Sequence, residues 1–465
     1  MKMKKIIALL LAAIMIVGLA ACSNSDSGDE GGNTDNPGTS TNNPSNGNED
    51  NTNDDVADSI TLWIYPVGGW GTESTVRPLL DAFTEATGIA VQAEWLAYAD
   101  GDDKVNTALS AGNAPDVIME GPERLVTNWG ANGHMVDLSD LIDDTDKAEL
   151  LESPYNACIS SDGAMYEYPM MMTAHCMAIN KTVFEAAGAL QYIDLENRTW
   201  TTENFIKAVD AVYQYTGETV GAVYCGGQGG DQGTRELIIN MYGGSFTNDD
   251  HTELTWDDPN NIKALQTLYD MPGIAYDASL AGADEIAAFY TGALNMAFCW
   301  NSAQQLNPNS ANTGEGLTVT GDEIFYLCQP TEDGSPSKLG SGIWGLGAFD
   351  TGDDARIAAA KEFIKYMCDS QATLDAVSAS TFFPVRSAAD DGKLDLSAVY
   401  DNEMLVSYFA QMFPRLGDYY QIIPGWAGLR TEWWNMLQEI GNGDDIATTV
   451  TAHMNAANEI VKAAS

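Results

Sequence analysis

The sequence predicts an α/β protein whose folded part forms two lobes. Segments with strand character and segments with helix character alternate from residue 59 onwards, which is typical of a parallel sheet covered by helices. The chain has 465 residues. About 400 of them remain once an N-terminal leader and linker are set aside, and one hydrophobic core rarely spans that length. Hydrophobic residues make up 45% of the chain, which is normal for a globular protein.

Residues 1–21 are predicted to be a signal peptide of the lipoprotein type. Three lysines near the start precede an apolar run over residues 6–17, and small residues then lead to Cys22. This order is typical of a secretory signal, and the run is shorter than the ~20 apolar residues that a membrane-spanning helix needs. Residues 19–22 resemble the lipobox of bacterial lipoproteins, which implies that Cys22 is acylated and becomes the mature N-terminus.

Residues 22–58 are predicted to be a disordered linker that begins at the lipidated Cys22. The segment consists mainly of Asn, Ser, Asp, Gly, Thr and Pro and contains neither Lys nor Arg. Such a composition cannot bury enough apolar area to offset the entropy lost on ordering. We therefore expect a folded body at the extracellular face of the cytoplasmic membrane, held there by the lipid anchor.

The net charge limits the partners of the folded body. The formal charge is −46, from 67 acidic and 21 basic residues. A charge of this size repels nucleic acid and anionic lipid, and it disfavours anionic ligands while tolerating neutral solutes or cations. We expect no nucleic-acid partner.

Six cysteines remain besides Cys22, and they show neither a CxxC pair nor regular spacing. An exported protein can form disulfides, whereas free cysteines are often buried as small hydrophobic residues. The sequence leaves open whether these six cysteines form disulfides or are free.

The first lobe is predicted from six elements in order. Its strands are rich in β-branched and aromatic residues, and its helices repeat apolar residues every three or four positions. Gly88, Gly112 and Gly133 follow the helices, as glycine commonly does at a helix C-terminus. The alternation of strands and helices predicts a sheet of parallel strands. The elements are a strand over 59–65, a helix over 76–87, a strand over 89–95, a helix over 102–111, a strand over 115–120 and a helix over 125–132.

From residue 113 the sequence resembles a known family. Residues 113–117 (Asn-Ala-Pro-Asp-Val), then Trp129 and residues 133–138, look like the first lobe of an ABC-transporter extracellular solute-binding protein. The likeness is to the carbohydrate-binding lipoproteins of family 1. Further matching segments follow in the family's order, at 163–169, 178–181, 184–188, 199–203, 243–246, 256–259, 289–297 (without the family's Lys), 340–346 and 358–364.

The resemblance implies a periplasmic-binding-protein-like fold with three interlobe crossings and a central ligand cleft. It places lobe one at 59–168 and 340–383, and lobe two at 169–339 and 384–465. It also implies a monomeric, non-enzymatic receptor that binds a neutral mono- or oligosaccharide and delivers it to ABC permease subunits. No cofactor and no metal are expected.

Aromatic residues beside glycines or at strand ends are the first candidates for sugar contacts. A sugar ring has an apolar face and a rim of hydroxyls, so its site needs an aromatic plate and planar polar groups. A ring flanked by glycines has few neighbouring side chains to pack against, which favours a position at the cleft. The candidates are Trp70, Trp300, Trp344 and Trp426.

Polar candidates lie in two loops. One loop follows the strand that ends near Met119, and the resemblance implies that this loop supplies polar contacts to sugars. The other is a Gly-rich loop over 224–234, which lacks the Lys and Ser/Thr of a phosphate-binding loop. The candidates are Glu120, Glu123 and Arg124 in the first loop, and Tyr224, Gln228 and Asp231 in the second.

Two alternatives stay open. The first is a binding protein for a polyol, a glycerophosphodiester or a polyamine, for which Glu120, Glu123 and Asp231 would supply clustered acids. The second is a surface glycoside hydrolase, because carboxylates are plentiful. The residues give little support for catalysis, since the four histidines are scattered, and neither an HxxxH pair nor a GxSxG motif is present.

Overall fold

The computed structural model describes residues 56–98, 100–227, 231–303, 316–386 and 403–464. The predicted signal peptide, the lipidation site at Cys22 and nearly all of the linker lie outside the described residues. Among the described residues, none of the helices combines the length and the apolar character that crossing a bilayer requires.

The described strands form three sheets. A six-stranded sheet has the order β11-β4-β10-β3-β1-β2, a three-stranded sheet has the order β8-β5-β9, and β6 pairs with β7. The strands are β1 (Ser59–Ile64), β2 (Ala90–Trp95), β3 (Val117–Glu120), β4 (Tyr168–Ala174), β5 (Cys176–Asn180), β6 (Gly221–Tyr224), β7 (Ile274–Asp277), β8 (Met296–Trp300), β9 (Ile324–Leu327), β10 (Ser341–Ala348) and β11 (Phe383–Pro384).

The predicted parallel arrangement of the first three strands is confirmed. β1 pairs in parallel with β2 on one side and with β3 on the other. The sheet as a whole is mixed, because β10 runs antiparallel to both β3 and β4. The chain leaves the six-stranded sheet at Ala174, the last residue of β4. It returns at Ser341, the first residue of β10, which pairs with Ala174. A strand that starts where its neighbour ends must run in the opposite direction.

The helices cover these sheets. They are α1 (Glu73–Thr87), α2 (Gly101–Ser110), α3 (Pro122–Arg124), α4 (Asp144–Glu149), α5 (Glu152–Ala157), α6 (Lys181–Ala186), α7 (Thr202–Thr216), α8 (Gln232–Met241), α9 (Pro259–Asp270), α10 (Gly282–Tyr290), α11 (Asp354–Asp369), α12 (Gln371–Ala379), α13 (Glu403–Met412), α14 (Trp426–Gly441) and α15 (Ile446–Ala464). Shorter 3₁₀ or π turns occupy Gly68–Gly71, Leu125–Gly130, Ser139–Leu141, Ala189–Tyr192, Phe413–Arg415 and Tyr420–Ile422.

Local signals explain several helix ends. Gly88 follows α1 with φ = 83°, a left-handed conformation that glycine adopts without the steric cost of a Cβ. Thr201 caps α7, since its hydroxyl accepts a hydrogen bond from the backbone N–H of Asn204 at 3.0 Å. The helix predicted over 125–132 is instead a π turn, Leu125–Gly130, that directly follows the short helix α3.

Two large hydrophobic cores lie in the described part. One packs α1 and α11 against the six-stranded sheet, with Leu80, Phe83 and Phe363 fully buried. The other packs α7, α8 and α14 around the smaller sheets, with Trp256 and Trp433 among its buried residues. Each core removes apolar surface from water, which is the main force that holds the corresponding part of the chain together.

The predicted lobe boundaries stay a prediction. The structure adds that β4 belongs to the six-stranded sheet over its whole length and that β5 belongs to the three-stranded sheet. The chain therefore changes sheet at the single residue His175, which lies between Ala174 and Cys176.

The six cysteines after Cys22 all have free thiols in the structure, and all are buried. Their partners are mainly hydrophobic core residues rather than other cysteines. The residues are Cys158, Cys176, Cys225, Cys299, Cys328 and Cys368.

Candidate ligand-binding cleft

A cavity of about 450 Å³ lies between the six-stranded sheet and the elements of the smaller sheets. One wall is formed by the segments that follow the carboxyl ends of β1, β2 and β3, together with residues of β10. The opposite wall is formed by the first turns of α8 and α10 and by the end of β8. Carboxyl ends of parallel strands are the usual position for a ligand in such sheets, and the volume suits a small molecule.

The loop after β3 holds a buried charge cluster on the first wall. The guanidinium of Arg124, which is only 2% exposed, lies 2.8 Å from the Glu120 carboxylate and 2.7 Å from the Asp102 carboxylate. The same guanidinium stacks over the rings of Tyr65 and Tyr98, at 4.9 Å and 5.6 Å from their centroids. These contacts fix the loop before any ligand arrives.

Burial sets the charge state of this cluster. Burial raises the pKa of Glu120 to about 7, although the Arg124 guanidinium opposes the shift. Burial alone would raise the pKa of Asp102. The ion pair with Arg124 outweighs burial, so the pKa of Asp102 is lowered. Glu123 accepts a hydrogen bond from the Tyr419 hydroxyl at 2.7 Å. Near neutral pH the Arg124 guanidinium therefore compensates the ionised Asp102 carboxylate, and burial keeps part of Glu120 protonated.

A second buried ion-pair cluster lies on the opposite wall. Asp231, 3% exposed, receives hydrogen bonds from the Arg430 guanidinium at 2.6 Å and 2.8 Å and also pairs with Arg235. Burial opposes ionisation of Asp231, but the two arginines outweigh it and lower its pKa to about 2. Arg235 stacks over Trp426 at 4.9 Å and donates to Gln421 at 3.3 Å. The cluster thus joins α8 to α14.

Trp344 provides a partly exposed aromatic surface in the cavity. Its ring packs edge-to-face on Phe382, with centroids 5.4 Å apart. A Cβ at Gly342 would lie 2.2 Å from the Trp344 ring, so the ring can occupy this position only because residue 342 has no side chain. Tyr98 and Tyr419 add further aromatic surface to the same cavity.

The structure brings five of the predicted site residues to the cavity walls. One is the last residue of β3, two lie in α3, one precedes α8 and one lies in β10. Contact of these residues with a ligand stays a prediction. They are Glu120, Glu123, Arg124, Asp231 and Trp344.

Four other predicted site residues are aromatic and do not line the cavity in the structure. Trp70, Tyr224, Trp300 and Trp426 are each 1% exposed and pack inside the protein, away from the cavity wall. The Trp300 ring, for example, stacks on Tyr326 with centroids 5.5 Å apart. The glycines beside Trp70 and Trp426 do not leave these rings open, because packing partners from distant elements cover them. Gln228 lies outside the described residues.

Several cavity residues were not predicted from the sequence. Tyr98 follows the carboxyl end of β2, which was a usable signal. Other residues lie between β4 and β5, directly after β8, directly before β11 and in the C-terminal part of the chain, where no local pattern marks them. They include His175, Asn301, Phe382, Gln421 and Arg430. Among the residues that the structure describes, no group of three or more His, Cys, Asp or Glu side chains could hold a metal ion.

Replacing Glu236 by glutamine is expected to change the pH dependence of stability. Glu236 accepts a hydrogen bond from the Tyr420 hydroxyl at 2.9 Å, and burial raises its pKa from 4.5 to about 7. Between these pH values the folded protein keeps a proton that the unfolded chain has lost, so stability falls as pH rises. Glutamine does not titrate, so Glu236→Gln should gain about 3 kcal/mol over wild type between pH 4.5 and pH 8.

Urea unfolding of both proteins at pH 4.5 and pH 8 measures this difference. Glu362→Gln, on an exposed part of α11, serves as the control and should change stability equally at the two pH values. An equal effect of Glu236→Gln at both pH values would show that the pKa of Glu236 is the same in the folded and the unfolded protein.

Comparisons with known proteins extend the description of the fold. A family model described as bacterial extracellular solute-binding protein matches residues 68–373. A search of curated protein sequences found no significant match. Solved structures, in contrast, match over most of the chain at low sequence identity.

Three of these structures are similar to this chain. The GacH receptor of Streptomyces glaucescens, solved unliganded and with acarbose, has a TM-score of 0.69 and 17% identity, covering 87% of this chain and 99% of that chain. An ABC substrate-binding protein from Listeria monocytogenes in complex with cycloalternan has a TM-score of 0.68 and 18% identity, covering 86% and 98%. A solute-binding protein from Thermotoga lettingae bound with α-D-tagatose has a TM-score of 0.69 and 18% identity, covering 87% and 100%. The predicted two-lobed α/β fold is confirmed.

Proposed function

This chain belongs to the bacterial extracellular solute-binding protein family, and we propose that it is a receptor that binds a neutral mono- or oligosaccharide and delivers it to an ABC importer. We further propose that it acts as a monomer, anchored by lipid at Cys22 to the extracellular face of the cytoplasmic membrane, and that its two lobes meet the permease subunits. The observation that carries the carbohydrate proposal is the cavity, which combines an aromatic plate with fixed polar groups.

The cavity matches the two chemical faces of a sugar. The Trp344 ring offers an apolar surface for one face of a pyranose or furanose. Glu120, Asp231 and Arg430 present hydrogen-bonding groups around it, and their ion pairs hold them in place. Preorganised groups of this kind lose little entropy on binding and reject ligands that leave them unpaired. Acarbose, cycloalternan and tagatose are the ligands in the three similar structures.

The charge balance of the walls supports a neutral ligand over a polyamine. A polyamine site needs carboxylates that are available to its ammonium groups. Glu120 is already paired with Arg124, and Asp231 is paired with Arg235 and Arg430. A cation would have to displace an arginine from a buried ion pair, which is costly.

The protein is proposed to bind its ligand without changing it chemically. A glycoside hydrolase needs one carboxylic acid and one carboxylate on opposite sides of the scissile bond. Glu120 ends β3 and Glu123 follows three residues later in α3, and both are within 4 Å of the Arg124 guanidinium. These two carboxylates therefore lie on one wall of the cavity. Asp231 lies on the opposite wall, but Arg430 and Arg235 already engage its carboxylate.

A ligand screen tests the proposal. The chain from residue 23 onwards is mixed with mono- and oligosaccharides, polyols and polyamines, and thermal stability and tryptophan fluorescence are recorded. A sugar at 100 times its Kd should raise the free energy of unfolding by about 2.7 kcal/mol. Saturable binding confined to related sugars is the expected result. Binding confined to polyamines, or turnover of an oligosaccharide, would contradict the proposal.

A further inference from the structure

Gln232 brings an accessible, uncharged polar group to the cavity. It is the first residue of α8, it lines the cavity, and its side chain is partly exposed. The charged residues of the walls differ from it, because Glu120, Arg124 and Asp231 are nearly fully buried and engaged in ion pairs. A neutral ligand hydroxyl can therefore reach the Gln232 carboxamide more readily than it can reach these charged groups.

A hydrogen bond to β10 sets the orientation of the Gln232 carboxamide. Its Nε2 donates to the backbone carbonyl of Ser341 in a long hydrogen bond of 3.4 Å. A carbonyl oxygen only accepts, so the nitrogen must be the atom that faces Ser341, and Oε1 lies on the other side of the same planar group. Oε1 has no hydrogen-bond partner among the described residues, yet it is not a buried atom. The carboxamide therefore offers an accessible acceptor.

The carboxamide lies beside the aromatic surface of Trp344. The carbonyl of Ser341 belongs to the peptide group that precedes Gly342, and a Cβ at Gly342 would lie 2.2 Å from the Trp344 ring. The carboxamide and the ring therefore border the same short stretch of β10. Because α8 and β10 lie on opposite walls of the cavity, Gln232 also bridges the two walls at this point. A sugar stacked on the ring would bring part of its hydroxyl rim towards Oε1.

We propose that Gln232 is a specificity-determining residue of this site, whose Oε1 accepts a hydrogen bond from one hydroxyl of the bound sugar. The inference rests on the proposed function and adds a requirement to it. The ligand must carry a hydroxyl that donates at the rim position beside Trp344. A group that cannot donate, such as a fluorine or an ether oxygen, leaves Oε1 unpaired in the complex and binds more weakly.

Analogues of the sugar that the ligand screen identifies test this requirement on the wild-type protein. Calorimetry compares the parent sugar with analogues in which one hydroxyl is replaced by hydrogen or by fluorine. At the position that Gln232 recognises, both replacements should weaken binding about fivefold, since neither hydrogen nor fluorine donates a hydrogen bond. If the fluorinated sugars bind as tightly as the parent sugar at every position, the ligand donates no such bond and the inference is overturned.

Gln232→Leu identifies the recognised hydroxyl, because leucine has a similar size and no polar group. The variant should bind the parent sugar about fivefold more weakly than wild type does. It should bind the parent sugar and the recognised deoxy analogue equally, as expected when the two partners of one hydrogen bond are removed in turn. Gln214→Leu is the matched control, since Gln214 also donates a long hydrogen bond, to Asp210 at 3.3 Å, but is exposed on α7 outside the cavity. This control should bind every analogue like wild type.

The outcomes separate this inference from the proposed function. If no sugar in the panel binds, both are overturned. If a sugar binds and folded Gln232→Leu binds it as tightly as wild type does, this inference alone is overturned. An equal loss of affinity for the parent sugar and for every analogue would mean that Gln232 acts only by holding α8 against β10. That result likewise overturns the inference and leaves the receptor function intact.

Discussion

Replacement of Trp344 by alanine is expected to weaken sugar binding by roughly 30-fold. The ring is the partly exposed aromatic surface between His175 and Phe382, and truncation removes the plate on which a sugar face would stack. Truncating a central aromatic contact typically costs about 2 kcal/mol of binding free energy, which corresponds to this factor. Isothermal titration calorimetry with the sugar from the ligand screen measures the change.

Trp63→Ala is the control for this experiment. Trp63 is also partly exposed, but it lies in β1, away from the cavity wall, and packs beneath the ammonium group of Lys104 at 4.7 Å. Its loss should leave sugar affinity unchanged even if stability falls. Equal affinities of Trp344→Ala and wild type would mean that Trp344 does not form the sugar-binding surface.

Replacement of Asp231 by alanine is expected to lower the free energy of unfolding by about 3–5 kcal/mol. Asp231 compensates two guanidinium groups, and Arg235 is fully buried while Arg430 is nearly so. Without the carboxylate, both positive charges stay in the interior with one partner fewer. Urea denaturation at pH 7 measures the loss.

An exposed ion pair provides the comparison for Asp231→Ala. Glu203 pairs with Lys207 on the surface of α7, where water screens both charges. Glu203→Gln should therefore lower the free energy of unfolding by no more than about 1 kcal/mol. A similarly small effect of Asp231→Ala would contradict the view that this cluster holds α8 and α14 together.

Most of the first lobe was predictable because its signals are local. The strands β1 to β3 and the helices between them follow directly from hydrophobic periodicity and from glycines such as Gly88 at helix ends. The antiparallel direction of β10 was not predictable from local signals. It depends on the chain returning beside Ala174 after more than 160 residues in other elements.

The part of the site that the sequence indicated comes from the end of β3 and the segment after it, from the Gly-rich segment before α8, and from β10. Glu120, Glu123 and Arg124 were candidates because the family resemblance implies that the loop after this strand supplies polar contacts, and the structure places all three at the cavity wall. Trp300 and Trp426 were misplaced because burial of a large ring depends on partners that are remote in sequence, such as Tyr326 and Phe246. His175 carries no sequence signal, since a lone histidine between two strands is most often a core residue.

The buried thiols have a practical consequence for using this protein as a sensor. A maleimide dye reacts with an accessible thiolate, whereas these six thiols are buried, and burial raises the pKa of Cys225, for example, to about 11. In a chain that starts at residue 23, one cysteine introduced at a solvent-facing position such as Tyr215, which is 60% exposed, would be labelled selectively. Since no disulfide joins these cysteines, such a protein can be produced in a reducing cytoplasm without an oxidation step.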